Sequence, residues 1–298
     1  MDEQPVCLKM TISCDSALIE LVTDYLVGII GAVVEQSADS AEKPAPITAY
    51  LEGVDDQSAR EALRSQLENY FHEMAQLFSV QPPALLIEEV EGRDWATAWQ
   101  EFFEPFEIAE GLVIVPSWED YRKKPGEEII VMDPGMAFGT GQHATTALCL
   151  DLIRESLVTV PGGTLLDVGT GTGILAMAGA LFGADRVIGI DNDPEAVAAA
   201  KQNVAMNNLA EQVEIRGDDL LSFSGPYELI AANIVHDVLV AMADAFYRLT
   251  RPGSRVILSG ILKGDQAHNI IRVFADLGFE VVKTREKEEW AALLFSRH

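Results

Sequence analysis

Apolar and polar positions follow two different patterns along the chain, and the pattern changes near residue 129. Before that point, alternating runs typical of half-buried strands flank two longer segments with the apolar spacing of amphipathic helices. Strands are predicted at residues 7–13, 31–36, 47–53 and 84–90, and helices at about 16–27 and 55–78. The order strand, helix, strand, strand, helix, strand is that of a ferredoxin-like α+β domain.

From residue 129 onward, strand and helix patterns alternate, which predicts a doubly wound, mostly parallel sheet. Its candidate strands are TLLDVG, RVIGID, VEIRGD, ELIAANI, RVILSG, FEVVKT and WAALLFS. We therefore predict an α/β chain with a ferredoxin-like domain at 1–90, a connector at 91–128 and a Rossmann-like domain at 129–298. Within the connector, residues 94–103 predict a short helix and residues 106–118 a pair of strands.

Charge narrows the choice of partners. The 298 residues carry a formal net charge of −26, which disfavours phosphate backbones and anionic membranes as partners. Residues 1–128 hold 26 acidic and 8 basic residues, whereas the remainder holds 21 and 13. Two interpretations of the acidic first part stand: solubility, or a face that attracts a basic protein.

Cysteine usage and the N-terminal sequence point to an ordinary intracellular setting. The three cysteines are odd in number and form no CxxC pair, which argues against a disulfide framework or a metal site. The first residues lack a cationic signal-peptide region, and Glu20 and Asp24 interrupt the most apolar early stretch. We expect a soluble, cytoplasmic protein without a metal.

The segment LLDVGTGTG, residues 165–173, joins an apolar strand to a helical pattern. Glycines in such a turn let backbone amides approach a ligand closely. The spacing is G-x-G-x-G, and Ile174 stands where a dinucleotide fingerprint needs its last glycine, so a pyrophosphate fits poorly. A tight turn without a ligand is the plainer alternative. Asp167, just before the glycines, is expected to orient the loop.

The next strands end in acidic residues. Asp191 stands at the carboxyl end of RVIGID, where a carboxylate can accept both hydroxyls of a ribose. Asp193 is predicted to cap a helix because Pro194 follows it. Asp218 follows the third strand and is either a turn residue or a contact of the ligand's base. A nucleoside without a pyrophosphate suits S-adenosylmethionine.

At this point the motifs carry a family resemblance. LLDVGTGTG with IGIDNDP resembles the class I, Rossmann-like methyltransferases. DPGMAFGTGQHATT, AANIVHDVL, SGIL and EKEEW resemble the PrmA family, the methyltransferases of large-subunit ribosomal protein eleven. The resemblance implies that Thr146, Gly169, Asp191 and Asn233 contact S-adenosylmethionine. It also implies that the acidic N-terminal domain recognises the protein substrate and that a flexible connector joins the domains. No direct nucleic-acid partner is expected, and we expect a monomer.

The glycine-rich segment DPGMAFGTGQHATT, residues 133–146, is expected to cross the methionine end of the cofactor. Its glycines permit close packing, Phe138 can shield the sulfonium from water, and the helix that starts near Thr146 offers amides to the cofactor carboxylate. The alternative is a glycine-rich turn with a helix cap.

Asn233, at the end of the fourth strand, can accept a hydrogen bond from an amine and direct its lone pair at the methyl group. Many amino-methyltransferases have Asn-Pro-Pro-aromatic here, whereas this chain has Asn-Ile-Val-His, which favours a lysine or α-amino nitrogen over a planar amine. His143 and His236 are candidate bases or structural hydrogen-bonding residues. The predicted catalytic residues are Asn233 and Phe138, and the predicted cofactor contacts are Thr146, Gly169, Gly171, Gly173, Asp191, Asp218 and Asn233.

The predicted function is methyl transfer from S-adenosylmethionine to lysine or N-terminal amines of ribosomal protein eleven. Within the same class, the acceptor could be another protein's lysine or a small amine. Two alternatives come from other classes: a nicotinamide-dependent oxidoreductase, against which the missing last glycine argues, and a non-catalytic adenosine-binding module.

Overall fold

The computed structural model describes residues 7–15, 18–35, 46–52, 54, 56–78, 80–90, 104–133, 144–159 and 162–298. These residues form two compact units that divide between residues 104 and 105. The domain boundaries predicted at residues 90 and 128 stay predictions, and the helix predicted at 94–103 lies outside the described residues.

The N-terminal unit contains a four-stranded sheet. Its elements are β1 (Cys7–Ser13), α1 (Ile19–Gly28), β2 (Val33–Glu35), β3 (Ile47–Glu52), α2 (Gln57–Phe78) and β4 (Ala84–Val90). The strand order β2-β3-β1-β4, with every pairing antiparallel, confirms the ferredoxin-like fold. Leu63, Leu67 and Phe71 recur every four residues on α2, so one stripe of this helix is buried in the core.

A small sheet of three strands opens the C-terminal unit. It consists of β5 (Phe106–Ala109), β6 (Leu112–Val115) and β7 (Glu128–Val131). β5 and β6 confirm the strand pair expected at 106–118, and β7 pairs with β6 in parallel. The hydrophobic pattern did not predict β7, which is only four residues long.

The large sheet of the C-terminal unit has seven strands in the order β10-β9-β8-β11-β12-β14-β13. Its strands are β8 (Thr164–Val168), β9 (Arg186–Ile190), β10 (Val213–Arg216), β11 (Leu229–Asn233), β12 (Arg255–Leu262), β13 (Phe279–Lys287) and β14 (Trp290–Arg297). Strands β8 to β12 pair in parallel, and β14 is antiparallel to both neighbours. The predicted mostly parallel sheet is therefore confirmed.

Helices cover both faces of this sheet. They are α3 (Ala144–Thr159), α4 (Ile174–Leu181), α5 (Pro194–Met206), α6 (His236–Arg248) and α7 (Asp265–Asp276). Leu165 packs with α3, α4 and α5, whereas its neighbour Leu166 packs with α6 and α7. Since successive strand residues point to opposite faces, the two cores lie on opposite sides of the sheet. Within the described part of the chain, no helix combines the length and the apolar character that a bilayer crossing requires.

Candidate cofactor site

The strand order of the large sheet reverses at β8. The chain runs from β8 outward to β9 and β10, then returns to β11 on the other side of β8. Such a switch point leaves a crevice at the carboxyl ends of the parallel strands, which is where ligands of this architecture bind. The loops after β8, β9 and β11 carry the residues that the sequence singled out.

The loop after β8 depends on its glycines. Gly169 and Gly173 have φ values of +72° and +82°, a backbone region that side chains disfavour. A Cβ on Gly169 would lie 2.5 Å from Cγ2 of Ile234, and one on Gly173 would lie 3.2 Å from Cβ of Ala200. The loop therefore packs closely against the segment after β11 and against α5, with little room for side chains.

Asp191 is fixed against this loop. One carboxylate oxygen accepts the N–H of Gly171 at 2.9 Å, and the other accepts the N–H of Asp193 at 3.0 Å. Each oxygen keeps a further lone pair for a ligand hydroxyl. The side chain of Asp193 accepts from the Glu195 N–H at 2.9 Å, and Pro194 follows, so the predicted helix cap is confirmed.

A buried carboxyl lies beneath the loop. Asp167 is fully buried, and one oxygen accepts the Thr170 hydroxyl at 2.6 Å. The carboxyl also takes a backbone hydrogen bond from Ala176 in the first turn of α4. Burial raises the pKa of Asp167 to about 7; the charge of Asp191 acts in the same direction, and the Thr170 hydrogen bond opposes it. The Asp167–Thr170 hydrogen bond ties the end of β8 to the glycine loop.

Thr146 and Asn233 meet at the other side of the switch point. Thr146 is buried in the first turn of α3, and Asn233 is the last residue of β11. The Asn233 side-chain nitrogen lies 3.5 Å from the Thr146 hydroxyl oxygen, at the long limit of a hydrogen bond. Two residues that are 87 positions apart in sequence are thus brought together.

Two further predicted residues, Asp218 and His236, are engaged by neighbouring side chains. Asp218 is exposed, and its carboxylate accepts from the Arg216 Nε at 2.8 Å, an ion pair that lowers the Asp218 pKa. Both ring nitrogens of His236 are engaged, by Asp237 at 2.7 Å and by Asn269 at 3.0 Å, which favours the structural interpretation of this histidine. Phe138 and His143 lie outside the described residues.

Two residues near the site were not predicted from the sequence. Asn203 and Asn207 contact backbone atoms of Thr172 and Val131, respectively. Their only sequence signal is their four-residue spacing, which places both on one side of α5.

The fold and the site together define a class of protein. A parallel sheet whose first strand enters a G-x-G-x-G loop, and whose second ends in a carboxylate bound to that loop, is a class I methyltransferase fold with an S-adenosylmethionine site. The chain belongs to the PrmA family: the model of this family, "Ribosomal protein L11 methyltransferase (PrmA)", matches residues 7–298. The resemblance seen in the motifs is thereby confirmed, and the oxidoreductase alternative is wrong.

Individual relatives support the assignment over the length of the chain. A ribosomal protein L11 methyltransferase of Desulfotalea psychrophila is 44% identical over 292 residues, which are 97% of this chain and 97% of the relative. One of Geobacter metallireducens is 37% identical over 296 residues, covering 96% and 97% of the two chains. A crystal structure of the ribosomal protein L11 methylase from Lactobacillus delbrueckii subsp. bulgaricus superposes with a TM-score of 0.60 at 34% identity, covering 65% of this chain and 99% of that one.

The residues present fit S-adenosylmethionine, the methyl donor of this class. Asp191 offers carboxylate lone pairs suited to ribose hydroxyls. Gly173, the N-cap of α4, has no side chain that could cover the amides at the start of the helix. Ile174 stands at the position of the last glycine of a dinucleotide fingerprint and is buried in the core. A side chain therefore occupies the space that this glycine would leave open.

Proposed function

We propose that this protein transfers methyl groups from S-adenosylmethionine to lysine side-chain and N-terminal amines of ribosomal protein L11. The observation that carries the proposal is the pairing of Asn233 with Thr146 at the switch point, within a chain that matches the family over residues 7–298. The cofactor, when bound, supplies an electrophilic methyl group on its sulfonium. The protein's own residues bind it, orient the acceptor and exclude water.

Asn233 is the proposed acceptor-orienting residue. Its side-chain nitrogen faces the Thr146 hydroxyl, which leaves its carbonyl oxygen free to accept an N–H of the incoming amine. That hydrogen bond fixes the direction of the nitrogen lone pair, and such orientation supplies a large part of the rate acceleration in a displacement between two bound groups. Thr146 thus acts on the reaction through Asn233.

The acceptor amine must be neutral to attack. A lysine amine has a pKa of about 10 and an α-amine about 8, so most of either is protonated at neutral pH. Removal from water beside a sulfonium charge lowers that pKa, because both effects disfavour the ammonium form. We propose that Phe138 shields the sulfonium. We also propose that Thr146, Gly169, Gly171, Gly173, Asp191 and Asp218 hold the cofactor.

The N-terminal domain, proposed as residues 1–90, is the substrate-recognition module, followed by a connector at 91–128 and the methyltransferase domain at 129–298. Its charge supports this: residues 1–90 hold 16 acidic and 4 basic residues. Exposed carboxylates include Glu61, Glu68 and Glu73 on α2 and Glu88 and Glu89 on β4. Such a surface attracts a basic ribosomal protein and repels nucleic acid. We further propose a monomer that works in the cytoplasm, where its ribosomal substrate is made.

Mass spectrometry of purified L11 after incubation with the protein and S-adenosylmethionine tests the function. We expect gains of 14 Da per methyl group that map to lysines or the N-terminus, and a much slower gain with Asn233→Ala. Asn269→Ala, the same substitution on α7 next to His236, serves as the matched control and retains activity. If L11 gains no mass although calorimetry shows cofactor binding in the same preparation, the acceptor is another protein lysine or a small amine.

A further inference from the structure

Helix α5 carries two asparagines, Asn203 and Asn207, whose side chains leave the helix to bind backbone atoms of other segments. Asn203 lies in the C-terminal half of the helix, and Asn207 is the residue that caps its end. The helix starts just after Asp191, so one element reaches from the carboxylate of the cofactor site to both asparagine contacts.

Asn203 holds the first glycine-rich loop. Its side-chain nitrogen donates to the Thr172 carbonyl oxygen at 2.9 Å, and the residue is only 6% exposed. Thr172 lies between Gly171, whose N–H binds Asp191, and Gly173, which starts α4. Loss of this donor would remove a buried hydrogen bond to the centre of the loop and so weaken its hold on the loop conformation.

Asn207 holds strand β7 as a neighbouring strand would. Its side-chain oxygen accepts the Val131 N–H at 2.7 Å, and its nitrogen donates to the Val131 carbonyl at 2.7 Å. The same nitrogen also donates to the backbone carbonyl oxygen of Asn203 at 2.8 Å, one turn earlier in α5. Val131 pairs with Val115 of β6 on its other side. The side-chain amide therefore completes the hydrogen bonding of a short strand.

Strand β7 leads directly into the second glycine-rich segment of the sequence. Two residues after Val131, the Asp133 carboxylate accepts the Ser117 N–H at 2.8 Å and the Ser117 hydroxyl at 2.9 Å. Asp133 is the first residue of DPGMAFGTGQHATT, and Thr146, its last, lies at the site beside Asn233. The start of this segment is thus anchored on one side by Ser117 and, through Val131, by Asn207.

We propose that Asn203 and Asn207 are positioning residues of the cofactor site. They attach the GTGTG loop and the strand that enters the second glycine-rich segment to the same helix. The affinity for the cofactor then depends on two amides that act through the backbone of other segments. The proposal rests on the proposed function only for the identity of the cofactor, so its test uses binding and not methyl transfer.

Calorimetric titration with S-adenosylhomocysteine, the demethylated cofactor, tests the proposal in the full-length protein. We expect Asn203→Ala to raise the Kd about tenfold and Asn207→Ala about threefold. The matched control is Gln202→Ala, an exposed position on the same helix, which should bind as the unaltered protein does.

Amide hydrogen exchange supplies a readout that a merely stabilising residue would not change. Saturating S-adenosylhomocysteine should slow exchange of the Val131 N–H in the unaltered protein and in Gln202→Ala. In Asn203→Ala, which removes a hydrogen bond to Thr172, the slowing should be several-fold smaller. Equal slowing in Asn203→Ala and in Gln202→Ala would overturn the proposal. An unchanged Kd in both Asn203→Ala and Asn207→Ala would overturn it as well. If an alanine variant fails to fold, Asn203→Ser and Asn207→Asp keep the same test, with smaller expected effects.

The results expected if the proposed function is wrong differ from those expected if the positioning role of the asparagines is wrong. In that case L11 gains no mass, while the asparagine variants still shift the Kd for S-adenosylhomocysteine. Conversely, normal methylation of L11 with unshifted Kd values would remove Asn203 and Asn207 from the site and leave the function in place.

Discussion

The two principal sheets differ in where they place polar groups. In the large sheet, parallel strands bring Gly169, Asp191 and Asn233 out at one edge. In the N-terminal sheet every pairing is antiparallel, so neighbouring strands end at opposite edges. Among the described residues, the buried serine, threonine, asparagine and aspartate side chains all belong to the C-terminal unit, Asp167 being the one carboxylic acid. The residues of the candidate site therefore lie in the C-terminal unit, whereas the N-terminal unit contributes exposed surface.

The largest expected effect is on the free energy of unfolding, because the large sheet buries the carboxyl group of Asp167 in β8. Its pKa is raised from 3.8 to about 7 by burial, so between these pH values the folded state holds a proton that the unfolded state has lost. This group's contribution to stability therefore falls as pH rises through that window, by about 4 kcal/mol at about 1.4 kcal/mol per pKa unit.

Asp167→Asn removes the titration and keeps an oxygen for the Thr170 hydroxyl. Urea unfolding of both proteins without cofactor, from pH 4 to pH 8, measures the difference. We expect the variant to gain stability relative to the unaltered protein as pH rises. Groups such as Glu155 and Glu228, whose pKa values are lowered, titrate equally in both and cancel in the comparison. Parallel pH profiles would contradict the prediction.

Asp191→Ala should remove cofactor binding. The substitution deletes the acceptor of the Gly171 N–H and both oxygens proposed for the ribose, so we expect the Kd to rise at least about 100-fold. Calorimetry with S-adenosylhomocysteine measures it, with circular dichroism to show that the variant folds. Asp193→Asn is the matched control, because asparagine caps a helix as well as aspartate does. Binding like that of the unaltered protein would exclude Asp191 from the site.

Asn233→Ala should separate orientation of the acceptor from binding of the cofactor. We expect kcat for L11 methylation to fall about 30-fold, since the amine loses its orienting hydrogen bond. The Kd for S-adenosylhomocysteine should change by less than about threefold, because Asp191 and the glycine loop remain. Steady-state kinetics and calorimetry on one preparation measure both. A Kd that rises as much as kcat falls would make Asn233 a cofactor contact alone.

The contrast between the units also explains what the sequence could predict. Both folds follow from hydrophobic periodicity, and the glycine spacing located the loop because only glycine tolerates the backbone of Gly169 and Gly173. The position of Asp191 follows from the rule that parallel strands end at one edge. These features depend on local pattern and on general topology.

The rest depends on contacts between distant segments. Strand β7 has four residues, too few for a periodic signal, and its free edge is completed by a side chain 76 positions away. Asparagines inside a helical pattern give no indication of which backbone they will bind, so Asn203 and Asn207 could not be predicted. The ion pair between Asp218 and Arg216 could not be predicted either, because the Asp218 position alone fits both a turn and a ligand contact.

The smallest expected effect lies in the N-terminal unit. Glu61, Glu68 and Glu73 are exposed on α2, and replacing all three with glutamine removes charge with little change of shape. Exposed charges contribute modestly to association, so we expect the KM for L11 to rise about threefold at low salt and the difference to vanish at high salt. Replacing Glu211, Glu280 and Glu286, exposed in the C-terminal unit, provides a control of equal charge that should leave KM unchanged.

The division of labour between the units can be measured most directly by determining two constants for two variants. These are the KM for L11 and the Kd for S-adenosylhomocysteine, in the α2 triple variant and in Asp191→Asn. We expect the triple variant to shift only the KM, and Asp191→Asn to raise the Kd. A triple variant that binds the cofactor less tightly, or that methylates L11 with an unchanged KM at low salt, would contradict the assignment of substrate recognition to the N-terminal unit.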